Sequence, residues 1–172
     1  MEMSHVRAME DGAAWCLDQY RVRHVMSLLS LDGRQLTCVF DAPDAESVRS
    51  VLRQMGQSVD PVWAATVHAP PGVPVAGSLA GIAPPLMVVE RRFAEPADFA
   101  ALLGRLRDQP AWCLDQYRVQ FLRSYMSKDR RRMICLYHAP DAESVRAAQL
   151  QAGTPVERVW AAGLYESQAN GA

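Results

Sequence analysis

No CxxC pair occurs in this chain, although it carries four cysteines, Cys16, Cys38, Cys113 and Cys135. That absence removes zinc-ribbon and thioredoxin-type chemistry. There is no excess of basic residues either: 18 Lys and Arg stand against 19 Asp and Glu, for a formal net charge of −1. A general binder of nucleic acid or of anionic membranes would carry a basic stripe. The one local exception, Lys128 to Arg132, falls where a hairpin tip is expected and reads as a solvated turn. No apolar run is long enough to span a bilayer, and the first seven residues lack the apolar stretch of an export signal. A cytoplasmic protein with reduced thiols, and without a nucleic-acid or membrane partner, is the resulting expectation. Walker loop, nucleophile elbow, HExxH and dinucleotide fingerprint are all missing. No reaction class is indicated, and the reading leans away from an enzyme.

What the chain does contain is one sequence twice. Trp15-Cys-Leu-Asp-Gln-Tyr-Arg-Val22 returns from Trp112 to Val119, and Ala42-Pro-Asp-Ala-Glu-Ser-Val-Arg49 returns from Ala139 to Arg146. Both returns stand 97 residues downstream, with no gap from Trp15–His68 to Trp112–Tyr165. The period is too long for a solenoid and suits a duplicated small domain. Each copy alone has little core, so the two are expected to pack as an intrachain pseudo-dimer. The boundaries read as 1–68 for the first repeat, 69–85 for a Pro/Gly-rich linker, 86–166 for the second repeat and 167–172 for a tail.

The second copy has the clearer periodicity. Leu86–Phe93 reads as a strand, Pro96–Arg107 as a helix continued by Trp112–Tyr117, and Val119–Ser127 with Arg132–His138 as a hairpin. Asp141 caps a helix to about Gln151, and Val156–Glu166 is a last strand. This β-α-β-β-α-β order is the ferredoxin-like one, an α+β fold. The first copy repeats it as helix 4–20, strand 22–30, a tight Asp32-Gly33 turn, strand 35–41, helix 44–55 and strand 59–68. Its first strand is missing. A flexible linker with an empty slot is the leading reading. The apolar segment Val73–Ile82 and a strand from another chain are the alternatives.

The Asp32-Gly33 turn predicts a register in which Leu28 faces Thr37, Met26 faces Val39 and His24 faces Asp41. One face is then apolar in both copies and should lie under the helices, with Cys38 and Cys135 as small buried hydrophobes. The opposite face mixes His24, Met26 and Asp41 with, in the second copy, Phe121, Arg123, Tyr125 and His138. His24 and Asp41 make a candidate metal pair, and pseudo-two-fold symmetry could bring His138 to it. A histidine merely satisfied by a neighbouring carboxylate is the plainer reading of the same pair. Met26, Phe121, Arg123 and Tyr125 are candidates for lining a ligand pocket. A purely structural interface is the third reading of this face.

Ser124-Tyr-Met-Ser-Lys-Asp, then Met133-Ile-Cys-Leu-Tyr-His-Ala-Pro-Asp-Ala-Glu-Ser-Val-Arg146, with Val88-Val-Glu-Arg-Arg-Phe93 upstream, resembles a small bacterial domain-of-unknown-function family in which nickel binding has been described. The resemblance covers nearly all of the second copy and, without the first strand, the first. It implies ferredoxin-like units that associate in the α+β-barrel manner, as dimers where single-copy, and a divalent transition metal, nickel, as cofactor. The copies differ at the candidate site (His24 against Phe121, Asp41 against His138), so one asymmetric metal site is expected rather than two equal ones.

Overall fold

The computed structural model describes residues 1–70, 73, 78–79, 81–83, 85–102 and 116–167. The chain folds as two compact units. Unit 1 comprises Met1–Ala64 with the chain from Gly163 onward, and unit 2 comprises Ala65–Ala162. Both are α+β. No described helix is long and apolar enough to cross a membrane.

Unit 1 opens with α1, Met3–Gln19, whose buried side chains Val6, Ala13 and Cys16 recur at helical spacing. Strand β1, Arg23–Ser30, turns back into β2, Leu36–Asp41. The hairpin closes on Ser30 and Gln35, and Gly33 takes a φ of +69° in it. A side chain at Gly33 would collide with the backbone of Met1, so both the turn and the contact call for glycine. Helix α2, Ala45–Gln54, starts on Asp44, whose carboxylate accepts from the Ser47 amide at 2.7 Å. Ala13, Cys16, Val22, Val48 and Val51 form the core between these helices and the sheet. The strand order is β2–β1–β7, where β7 (Arg158–Glu166) enters this unit by its second half.

Unit 2 contains β3 (Ala65–His68), β4 (Leu86–Arg92), β5 (Gln120–Ser127), β6 (Arg132–His138), α3 (Ala142–Gln151) and the first half of β7. Their order is β7–β4–β6–β5–β3, with each of these neighbours antiparallel. Asp141 caps α3 as Asp44 caps α2, with the same backbone angles and the same 2.7 Å bond. Asp98, rather than Pro96, receives the amides of Ala100 and Ala101 at the start of the helical residues 99–102. The rest of the expected helix 96–107 and most of its continuation at 112–117, with Cys113, lie outside the described residues, as does most of Val73–Ile82.

Two expectations about strands change. Strand 59–68 shrinks to Ala65–His68, since Pro61 has no amide to give to a ladder. That short strand, the last of copy one by repeat position, pairs with β5 of copy two. Its equivalent in copy two, the end of β7, lies beside β1, where Ser167 donates to the Val25 carbonyl. Among the described residues, unit 1 has no strand in the position that β4 takes in unit 2.

The register also departs from the simple alternation. Leu28 faces Thr37 and Met26 faces Val39 as expected, but a bulge between His24 and Met26 then sets His24 opposite Phe40 and Arg23 opposite Asp41. Copy two has the same bulge between Phe121 and Arg123, which sets Phe121 opposite Tyr137. One extra residue reverses the facing of everything beyond it. His24 and Phe121 therefore move to the helix-covered face, with Cys38 and Cys135.

Candidate functional site

The inward turn of His24 assembles a chain of polar groups in unit 1. Glu10 lies on α1 four residues after Val6 and three before Ala13, on the buried side of that helix. Its Oε1 stands 3.3 Å from His24 Nδ1. Its Oε2 accepts a 2.6 Å hydrogen bond from the Tyr165 hydroxyl. On the other side of the ring, His24 Nε2 lies 2.8 Å from Ser27 Oγ, which in turn is 3.1 Å from Cys38 Sγ. The imidazole is only 6 % exposed and packs between Phe40, edge-on at 5.5 Å, and Tyr165, stacked at 5.9 Å.

Burial sets the protonation of this chain. It lowers the His24 pKa below the ordinary histidine value, against the pull of the Glu10 carboxylate, so the ring is neutral at pH 7. Burial works to raise the Glu10 carboxyl, but hydrogen bonds from Ser167 and Tyr165 and the nearby His24 outweigh it and hold the pKa below the usual carboxylate value. Tyr165 is pushed up to about 12, by burial and then by the Glu10 carboxylate. Burial also raises the Cys38 thiol, against its bond with Ser27, so it stays protonated and is a poor metal ligand. Nδ1 itself makes no hydrogen bond, and the direction of the Nε2–Ser27 bond follows the tautomer; with the ring proton on Nε2 and donated to Ser27 Oγ, the Nδ1 lone pair faces Glu10.

Of the other candidate residues, Asp41 is exposed and forms a 2.9 Å ion pair with Arg23. The expected His24–Asp41 pair is therefore not formed. His138 belongs to unit 2, half-buried at the end of β6 between Leu86 and Gln120. Met26, Arg123 and Tyr125 are buried residues of the sheet, Met26 in unit 1 and the other two in unit 2. Phe121 parts from Arg123 and Tyr125 through the bulge and packs on Tyr137, centroids 5.5 Å apart. Glu10 and Tyr165 escaped the sequence reading. Glu10 lies upstream of the block that repeats without a gap, and nothing in that block points to it.

The family model described as Nickel responsive protein SCO4226-like matches residues 1–64 and 88–161. The chain belongs to that family. Both copies of the repeat are matched, each once. No curated protein and no solved structure matches the chain.

Nickel can be tested against the residues of unit 1. A neutral imidazole and a carboxylate suit a divalent transition metal. Their 3.3 Å separation is also close to that of two adjacent ligands around one ion at about 2.1 Å. The number of donors falls short. Among the described residues, no group of three His, Cys, Asp or Glu side chains could hold a metal ion. Glu10 and His24 thus fit nickel in kind and spacing but do not make a complete protein site.

Proposed function

We propose that this protein binds a divalent transition metal, nickel by its family, and that Glu10 and His24 are two of the donors. Family membership carries the choice of metal. The Glu10–His24 pair supports the location, because the ring is neutral and its Nδ1 lies beside an ionised carboxylate that is partly open to solvent. Of the set expected from sequence, His24 remains in the proposal and Glu10 replaces Asp41, whose carboxylate is occupied by Arg23. The same proposal takes the two repeats as ferredoxin-like units, a reading supported by the antiparallel order β7–β4–β6–β5 in copy two.

Calorimetric titration of the full chain with nickel tests it, with zinc, cobalt and copper as comparison ions. Saturable binding near one ion per chain is expected. His24→Ala and Glu10→Gln should each weaken it roughly tenfold or more, while Asp41→Asn and His138→Ala leave it unchanged. Absence of saturable binding would overturn the metal reading. Binding that survives both His24→Ala and Glu10→Gln would overturn the site.

A further inference from the structure

The imidazole of His24 is bonded through one nitrogen only. Its Nε2 lies 2.8 Å from Ser27 Oγ, while Nδ1, 3.3 Å from Glu10 Oε1, makes no hydrogen bond. In a protein interior an N–H without an acceptor is rarer than a lone pair without a donor. The neutral ring therefore carries its proton on Nε2 and gives it to Ser27 Oγ. Ser27 is fully buried, and its own proton has an acceptor in Cys38 Sγ at 3.1 Å. On the other side of the ring, the Nδ1 lone pair and the Glu10 carboxylate are two electron-pair donors turned toward each other.

The second copy shows the same serine without the histidine. Ser124 holds the place of Ser27, is equally buried, and stands opposite Cys135 as Ser27 stands opposite Cys38. Phe121 takes the place of His24. Among the described residues, Ser124 Oγ then has no hydrogen-bond partner. The hydroxyl at this position is engaged only where the imidazole is present.

A metal on Nδ1 needs the lone pair there, and so the ring proton on Nε2. An acceptor for that proton fixes both the tautomer and the orientation of a metal-bound histidine. Ser27 is that acceptor here. An ion on Nε2 would instead meet Ser27 and the protonated Cys38 thiol, on the side of the ring away from the carboxylate.

We propose that Ser27 is the positioning residue of the metal site, holding the Nε2 proton so that Nδ1 is presented beside Glu10. Ser27 has this part only if Glu10 and His24 are metal ligands, as proposed above. Long-range proton–nitrogen-15 spectra of the metal-free full chain, at about pH 8 and so above the histidine range, read the tautomer. The His24→Phe spectrum identifies the resonances. Nε2 is expected to carry the proton and Nδ1 to be bare. Ser27→Ala should shift the proton toward Nδ1 and weaken nickel binding about tenfold in calorimetry. Ser124→Ala, the same change at the equivalent place, should alter neither. A proton on Nδ1 of the unaltered metal-free chain would overturn the proposal, even if Ser27→Ala does not fold. An unchanged nickel affinity in Ser27→Ala would overturn it too. Both results leave Glu10 and His24 as ligands. Those two fall if nickel does not bind, or binds equally well without them, and the part of Ser27 falls with them.

Discussion

Arg91, on β4, is buried in unit 2, and replacing Gln149 by leucine, the residue that copy one has at this place, removes one of the hydrogen bonds of its guanidinium. Gln149 is fully buried, and its Oε1 accepts from Arg91 Nη2 at 2.6 Å and from Thr154 Oγ1 at 2.7 Å. Losing a hydrogen bond to a charged group costs about 1.5–3 kcal/mol. Thr154 keeps an acceptor in the Gln149 carbonyl at 3.2 Å, so its hydroxyl adds little to the loss. Gln149 Nε2 has no acceptor, and removing it returns about 1 kcal/mol. The net cost of Gln149→Leu is then about 1 kcal/mol, or a thermal midpoint lower by roughly 3 °C for a chain of this size. Once Arg91 is also replaced by leucine, the unmet donor is gone. The double variant should be more stable than the sum of the singles predicts, by at least about 1 kcal/mol. Urea unfolding of the four proteins, compared at equal m-values, measures this coupling. Additivity within about 0.5 kcal/mol would refute the view that Gln149 serves Arg91.

The lowered pKa of His24 makes stability depend on pH. Between the unfolded value near 6.5 and the lower folded value, the unfolded chain binds more protons. This contribution is therefore complete above about pH 6.5 and is lost as pH falls through the folded pKa. His24→Phe, the residue copy two has there, should flatten that part of the stability–pH curve, and an unchanged slope would count against a buried neutral ring. Tyr165→Phe removes the 2.6 Å bond to Glu10 and should raise the carboxyl pKa, read from its carbon-13 shift; a pKa that stays put would mean the bond is not made in solution. Asp44→Ala and Asp141→Ala should each cost about 1 kcal/mol in urea unfolding. Because the two caps have the same geometry, clearly unequal costs would contradict the repeat as a guide to local energetics.

Much of the secondary structure was legible because local chemistry dictates it. The Asp-Ala-Glu-Ser-Val-Arg starts, the turn at Gly33 and the alternating strands of both hairpins each carry their own signal. The facing of His24 was not legible. A bulge is decided by the competition between ladder bonds and packing over a whole hairpin, and neither Val25 nor Leu122 announces itself as the extra residue. With the bulge unread, His24 was matched to Asp41, and its true neighbour Glu10 lay on a helix fourteen residues upstream. The network around Arg91 was hidden for a similar reason. Arg91, Tyr137 and Gln149 come from three separate elements, and each alone reads as an ordinary surface or core residue.

The two copies have traded their closing strands. Ala65–His68, the end of the first copy, completes the edge of β5 in the second, and the end of β7 flanks β1 in the first. A protease cut in the linker would therefore not release two finished domains. The piece 1–68 would carry a strand with nothing to pair with and would leave the β7 side of β1 bare. The piece from 86 onward would leave β5 open to any other chain with a free edge. Neither copy of the repeat, cut out at its own boundaries, carries all the strands of the sheet that it folds into.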